Sequence, residues 1–242
     1  MTDLNEFYRH WLHTRRPDVP AFKSAADVPI DVQFAHVVRD KASHRGVGLR
    51  SGLRELAAGA PNQDYLEEIG SLENLEYLDL GWPMTATDLA PIGKLTKLRT
   101  LRIDSPRAIA DFSAIAALPS LERLFISNAK HLRTLDFLRP LKSQLIALGV
   151  EGSMYTAQTI ATLAPLEGFA LEALFLTNTK LEDQDLSPIA TMPNIRILGT
   201  GINAPRAQFY ALRDAKPDLV CQWFDEKAWG SFKDPKPPRS MQ

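Results

Sequence analysis

Three stretches, LENLEYLDLGW (72–82), LTKLRTLRIDS (95–105) and LPSLERLFISN (118–128), align residue for residue and decide the fold. Each carries an apolar triplet spaced L-x-x-L-x-L: Leu75/Leu78/Leu80, Leu98/Leu101/Ile103 and Leu121/Leu124/Ile126. The pattern continues in LKSQLIALGVEG (141–152), FALEALFLTN (169–178) and MPNIRILGTG (192–201), with a degraded last position at Thr200. Successive first leucine positions lie 23, 23, 24, 26 and 24 residues apart. A second apolar triplet follows in each unit, as in Leu89/Ile92/Leu95, Phe112/Ile115/Leu118 and Leu186/Ile189/Met192.

The two triplets have different periods. In x-L-x-L-x the apolar residues alternate, as one face of a strand does; at i, i+3, i+6 they follow one side of a helical turn. One unit is therefore a strand, a turn and a short helical crossover. It cannot bury its own apolar row, but stacked neighbours can, which predicts an α/β fold with a parallel sheet on one side and helical segments on the other.

The run from about Asn74 to Val220 resembles the leucine-rich repeat family, and TDLAPIGKLTKLRTL and DQDLSPIATMPNIRIL resemble the internalin-type repeats of bacteria. The resemblance implies a solenoid with the sheet on its concave face, short helices or helical turns on the convex face, and a recognition role rather than catalysis. The place of the family's usual asparagine holds Pro83, Pro106, Ala129, Ser153 and Thr179, while Asn128 and Asn178 lie one position early. A continuous asparagine ladder is therefore not expected.

Stacked repeats need caps. The N-terminal stretch places Leu4, Phe7, Tyr8, Trp11 and Leu12 on one stripe of an amphipathic helix, with Asp3 and Glu6 at capping-box spacing. This helical segment belongs to residues 1–45, a cap or a small appendage, with a strand expected in VQFAHVV (32–38). The solenoid of six to seven repeats is expected over 46–224, and a partly disordered capping tail over 225–242. Two readings stand for SGLRELAAG (51–59): a degenerate first repeat through Leu53/Leu56/Ala58, or a helical part of the cap. Residues 205–216 read as a helix, the alternation Leu219, Cys221, Trp223 as a closing strand, and Trp229 with Phe232 as a cover folded over it.

Composition narrows the function classes. With 28 Lys+Arg against 29 Asp+Glu in 242 residues there is no bulk pull toward nucleic acid or anionic membrane. A single cysteine excludes an internal disulfide and a multi-cysteine zinc site. No apolar run reaches membrane-spanning length, and the charged start does not read as a signal peptide, so the expected location is cytoplasmic. No phosphate-binding loop or nucleophile elbow is present. His10 and His13 share a helix face but lack the further ligands zinc needs; Cys221 reads as a packed thiol; Asp183 and Asp185 read as capping residues. No catalytic residue, metal site or cofactor is expected.

Residues between the inward leucines should point outward. That face carries Tyr77, Asp79, Arg102, Asp104, Arg123, Phe125, Glu151, Phe175 and Ile197, with Trp82 at the turn beyond. Aromatics and arginines ringed by polar groups are the composition of binding hot spots. The expected function is a protein-binding module holding an unidentified protein partner on this face, in a sharper form an inhibitor or immunity protein. The alternative is that the protein's own caps, or a second copy in a homodimer, cover the phenylalanines. On the first reading Phe125 and Phe175 are exposed, and truncating both abolishes binding with little effect on melting temperature. Seven strands offer roughly 500 Å², below the roughly 800 Å² per partner of a standard interface, so a partner must also touch the turn edge. Trp82 is the turn residue singled out, either as an anchor or packed on the next turn.

Overall fold

The alternating triplets become strands, and the i, i+3, i+6 triplets become 3-10 turns or, at Leu186/Ile189/Met192, a short α-helical turn. This is seen in a computed structural model of the chain, which describes residues 20–237. The N-terminal helix expected around Leu4–Leu12, and His10 and His13, lie outside those residues. The chain divides into two units, Met1–His131 and Leu132–Gln242.

In the first unit the parallel strands run in chain order: β1 (Ala21–Phe22), β2 (Phe34–Val38), β3 (Glu55–Gly59), β4 (Tyr77–Gly81), β5 (Thr100–Asp104) and β6 (Arg123–Ser127). Their register aligns Leu56, Leu78, Leu101 and Leu124 in one row, and Ala58, Leu80, Ile103 and Ile126 in the next. These rows are buried. Between strands lie the helix α1 (Gln63–Ile69) and 3-10 turns at Val47–Leu49, Ala90–Lys94 and Ser113–Ala117. Three residues per turn put apolar side chains spaced strictly three apart on one edge of a 3-10 helix, so this spacing favours it over a longer α-helix. Residues 51–59 resolve as a repeat: Leu53 and Leu56 are buried, and β3 is a strand rather than part of a helical cap. The sheet also extends before residue 46, where β2 pairs with β3 along its whole length.

In the second unit the elements are β7 (Ala147–Glu151), β8 (Gln158–Ile160), β9 (Ala173–Leu176), β10 (Thr179–Leu181), the helix α2 (Ser187–Ala190), β11 (Ile197–Thr200), α3 (Arg206–Ala215) and α4 (Glu226–Trp229). Strands β7, β9 and β11 are parallel neighbours, and β8 pairs with β10 in a separate two-stranded sheet. The expected closing strand through Leu219–Trp223 reduces to a single bridge, Ile197 with Val220. The chain then turns into a 3-10 segment at Gln222–Phe224. That turn lets the Trp223 indole donate to Thr200 O at 2.8 Å, while Trp229 donates to Trp223 O at 3.0 Å. Trp223 meets Trp229 and Phe232 at centroid distances of 5.4 and 5.8 Å, and Phe209 packs edge-on against Trp229 at 5.6 Å. A cluster of aromatic rings, not another strand, covers β11.

Candidate functional site

Strand alternation places the named residues on the face opposite the leucine rows. In the first unit the register sets Asp79 beside Arg102 and Arg102 beside Phe125. The Asp79 carboxylate lies 4.0 Å from Arg102 Nε, and the Arg102 guanidinium stands 5.4 Å from the Phe125 ring centroid. Arg123 pairs with Glu122 at 3.1 Å. Asp79, Arg102 and Arg123 are half-buried, which leaves them accessible but held.

At the ends of β5 and β6 the chain enters left-handed turns at Ser105 and Asn128, with φ of 53° and 55°. Asn tolerates this conformation, which explains why the asparagine sits one place earlier than the family pattern. Asn128 Nδ2 donates to Ser105 Oγ at 2.9 Å, and Asp104 accepts from the Ser105 and Ser127 hydroxyls at 2.8 and 3.2 Å. Asp104 is therefore engaged within the turn rim. One turn earlier Trp82 is 68% exposed, so it does not pack on the next turn.

The outward apolar residues are buried, against the reading in which they stand exposed. Tyr77 and Phe125 are each 5% exposed, Ile197 is 5% exposed and Phe175 is fully buried. The reason for Phe175 is visible in the second unit: register pairs it with Gly199, and a Cβ added at Gly199 would lie 2.7 Å from the Phe175 ring. The ring packs against the glycine on the neighbouring strand, where it occupies the space a side chain at 199 would need. Phe175 thus belongs to the packed interior, and truncating it cannot leave stability unchanged. Glu151 in the same unit is half-buried at the end of β7.

Sequence reasoning missed the most exposed apolar residues, Met154 at 87% and Tyr155 at 90%. They occupy the tip of a tight turn after β7. Ser153 N donates to Thr156 O at 2.8 Å, Ser153 Oγ accepts from Thr156 N at 3.0 Å, and Asn178 Nδ2 donates to Ser153 O at 2.7 Å. The turn is braced, so the two side chains are presented rather than loose. A signal existed: this repeat is the longest, 26 residues against 23 or 24, and the surplus emerges as this turn.

The remaining chemistry is structural. Asp185 accepts from Ser187 N at 2.8 Å and Asp183 from Asp185 N at 3.2 Å, as capping residues do. Burial pushes the Cys221 thiol up to about 11, against a hydrogen bond from the Trp223 backbone that lowers it, so the thiolate is scarce at neutral pH. Among the described residues no three His, Cys, Asp or Glu side chains converge on a point that could hold a metal, and no helix is long and apolar enough to cross a membrane.

No known protein family profile matches the chain, and no curated protein matches it in sequence. Solved structures do. An internalin, InlF, from Listeria monocytogenes matches with a TM-score of 0.59 at 19% identity, covering 79% of this chain and 54% of that one. A leucine-rich repeat protein from Leptospira interrogans matches with a TM-score of 0.54 at 20% identity, covering 83% and 57%. Human 5T4, a trophoblast glycoprotein, matches with a TM-score of 0.52 at 17% identity, covering 84% of each chain. The chain spans little more than half the length of the two bacterial proteins. These likenesses, with the parallel strands, show an internalin-like leucine-rich repeat fold.

Proposed function

We propose that the chain is a non-enzymatic protein-binding module whose anchors stand on the rim of turns beside the outward sheet face. The observation that carries this is the Met154–Tyr155 pair, two large apolar side chains almost wholly in water on a turn braced by four hydrogen bonds. Exposing them yields no folding free energy, whereas Tyr and Met are enriched where proteins meet. In the first unit Trp82 plays the same part beside the half-buried charges Asp79 and Arg102. The leucine-rich repeat fold supports the reading, since stacked repeats build extended recognition surfaces. Area supports it too: five strands of five residues offer roughly 320 Å² of sheet face, so a standard interface needs the rim.

The test compares Met154→Ser/Tyr155→Ser and Trp82→Ala chains with the wild type as baits. Loss of a bound protein at unchanged melting temperature supports the rim; full retention by all the variants removes it. The narrower form of the proposal, a cytoplasmic inhibitor or immunity protein, makes its own demand. A neighbouring gene should encode a toxin that the purified chain inactivates at one-to-one stoichiometry.

A further inference from the structure

The C-terminal ends of strands β2 to β5 carry a row of residues on the outward face of the first unit. Register sets Val38 beside Gly59 and Gly59 beside Gly81; Asp104 follows on β5, one place beyond the Leu80–Ile103 pair, and stands beside Ser127. The two glycines differ in what lies over them. A Cβ at Gly59 would meet the Val38 methyl carbons at 2.8 and 3.1 Å, so Val38 leans over that place. A Cβ at Gly81 would meet nothing closer than Ala58 O and Gly59 Cα at 3.8 Å, so the sheet there is bare backbone. The result is a notch over β4. Its walls are Val38, leaning over β3, and Asp104 on β5, two strand spacings or about 10 Å away. Trp82, the residue after Gly81, stands at its end. Val38 is 48% exposed and Trp82 68%.

Asp104 is the charged wall. The two hydrogen bonds it accepts, from the Ser105 and Ser127 hydroxyls, both go to Oδ1 and fix the carboxylate in place. Among the described residues no donor reaches Oδ2 and no cationic nitrogen lies within 4.0 Å of the carboxylate. Arg102 on the same strand is turned to Asp79 and Phe125, and Arg39 is engaged through Nε on Ala60 O at 2.7 Å. A fixed carboxylate, an exposed valine, bare backbone and an exposed indole suit one kind of group, a long apolar stem that ends in a cation. The stem covers Val38 and the Gly81 backbone, the cation meets Oδ2, and the indole face adds a second attraction. A neutral apolar side chain would fill the notch but strip water from Asp104 without pairing it, and an acidic one would be repelled.

We propose that the protein partner places a lysine or arginine side chain in this notch, between Val38 and Asp104 and against Trp82. The inference rests on the reading of Trp82 as a rim anchor and names the chemistry that this anchor takes.

The test selects phage-displayed random peptides on the purified full chain and retains those that bind the wild type but not Trp82→Ala. These peptides should share a lysine or arginine at one position. In a synthetic peptide of that sequence, replacing the basic residue with norleucine, which keeps the stem and removes the charge, should weaken binding to the wild type by about tenfold or more. On Asp104→Asn, which keeps an oxygen to accept from the two serines, the same replacement should change binding by less than about threefold. Gly81→Val provides a second variant should Asp104→Asn not fold: its Cβ has room, its side chain occupies the notch, and the peptide should bind it about tenfold or more weakly than the wild type. Peptides that need Trp82 but share no basic residue overturn the cationic anchor and leave the rim reading standing. A norleucine effect as large on Asp104→Asn as on the wild type, or full affinity for Gly81→Val, overturns the notch in the same way. Selection that yields no peptide dependent on Trp82 overturns both the notch and the role of Trp82 as an anchor.

Discussion

Phe175→Ala separates a binding residue from a packed one. On an exposed face the substitution would cost a few tenths of a kcal/mol at most, as surface changes do. In the structure Phe175 is fully buried, its ring lies on Gly199, and Leu174 and Leu176 on either side belong to the leucine rows. Removing a buried phenyl ring costs about 3–5 kcal/mol through lost transfer free energy and the cavity left behind. Relaxation cannot refill this cavity from the neighbouring strand, because position 199 has no side chain to move in. For a chain of this size the loss corresponds to a fall in melting temperature of roughly 6–20 °C. The assay is urea unfolding followed by tryptophan fluorescence, where Trp223 and Trp229 report on the same unit. Trp82→Ala, at a residue 68% exposed, serves as the control and should stay within about 0.5 kcal/mol of the wild type. A Phe175→Ala loss below about 1 kcal/mol would refute the packing argument and restore the ring to the candidate interface.

Two further predictions concern the loops that hold the units. His44 is 2% exposed, stacks on Tyr65 at 5.1 Å, and has its affinity for a proton lowered chiefly by burial, with Arg39 and Arg45 adding to the effect and Glu68 and Asp64 opposing it. The unfolded chain therefore takes up the proton first. The stabilisation from neutral His44 is complete above about pH 6.5 and is lost as pH falls below that value; His44→Phe should flatten this part of the stability–pH curve, and an unchanged slope would contradict it. Gly152→Ala should destabilise the second unit by several kcal/mol and disorder the Met154–Tyr155 turn, because the added methyl would overlap Asn178 O and stand 2.6 Å from Thr156 O, both rigid backbone atoms. A variant that melts like the wild type would show that the turn is not held as described.

The strand register was legible because period two and period three report on the faces of a strand and a 3-10 turn directly. Leu78, Leu101 and Leu124 align as their spacing demands. Alternation also assigned Tyr77, Phe125, Phe175 and Ile197 to the outward face. It carries no information on what lies above that face, nor on a cross-strand glycine that leaves room for a ring, and so their burial was invisible to it. The closing strand failed for a similar reason. Leu219, Cys221 and Trp223 alternate, but the Trp223 indole must reach Thr200 O, and a 3-10 turn achieves this where a strand would not. Met154 and Tyr155 were overlooked because a turn has no periodicity to read, although the lengthened repeat marked the place.

The most direct test of the account is affinity capture from the native host with wild-type and Met154→Ser/Tyr155→Ser/Trp82→Ala chains side by side, quantified by mass spectrometry. The account predicts a protein enriched by the wild type and lost, by about tenfold or more, on the variant, whose melting temperature stays within a degree or two. The same captured proteins in the same amounts on both baits would contradict recognition by the turn rim.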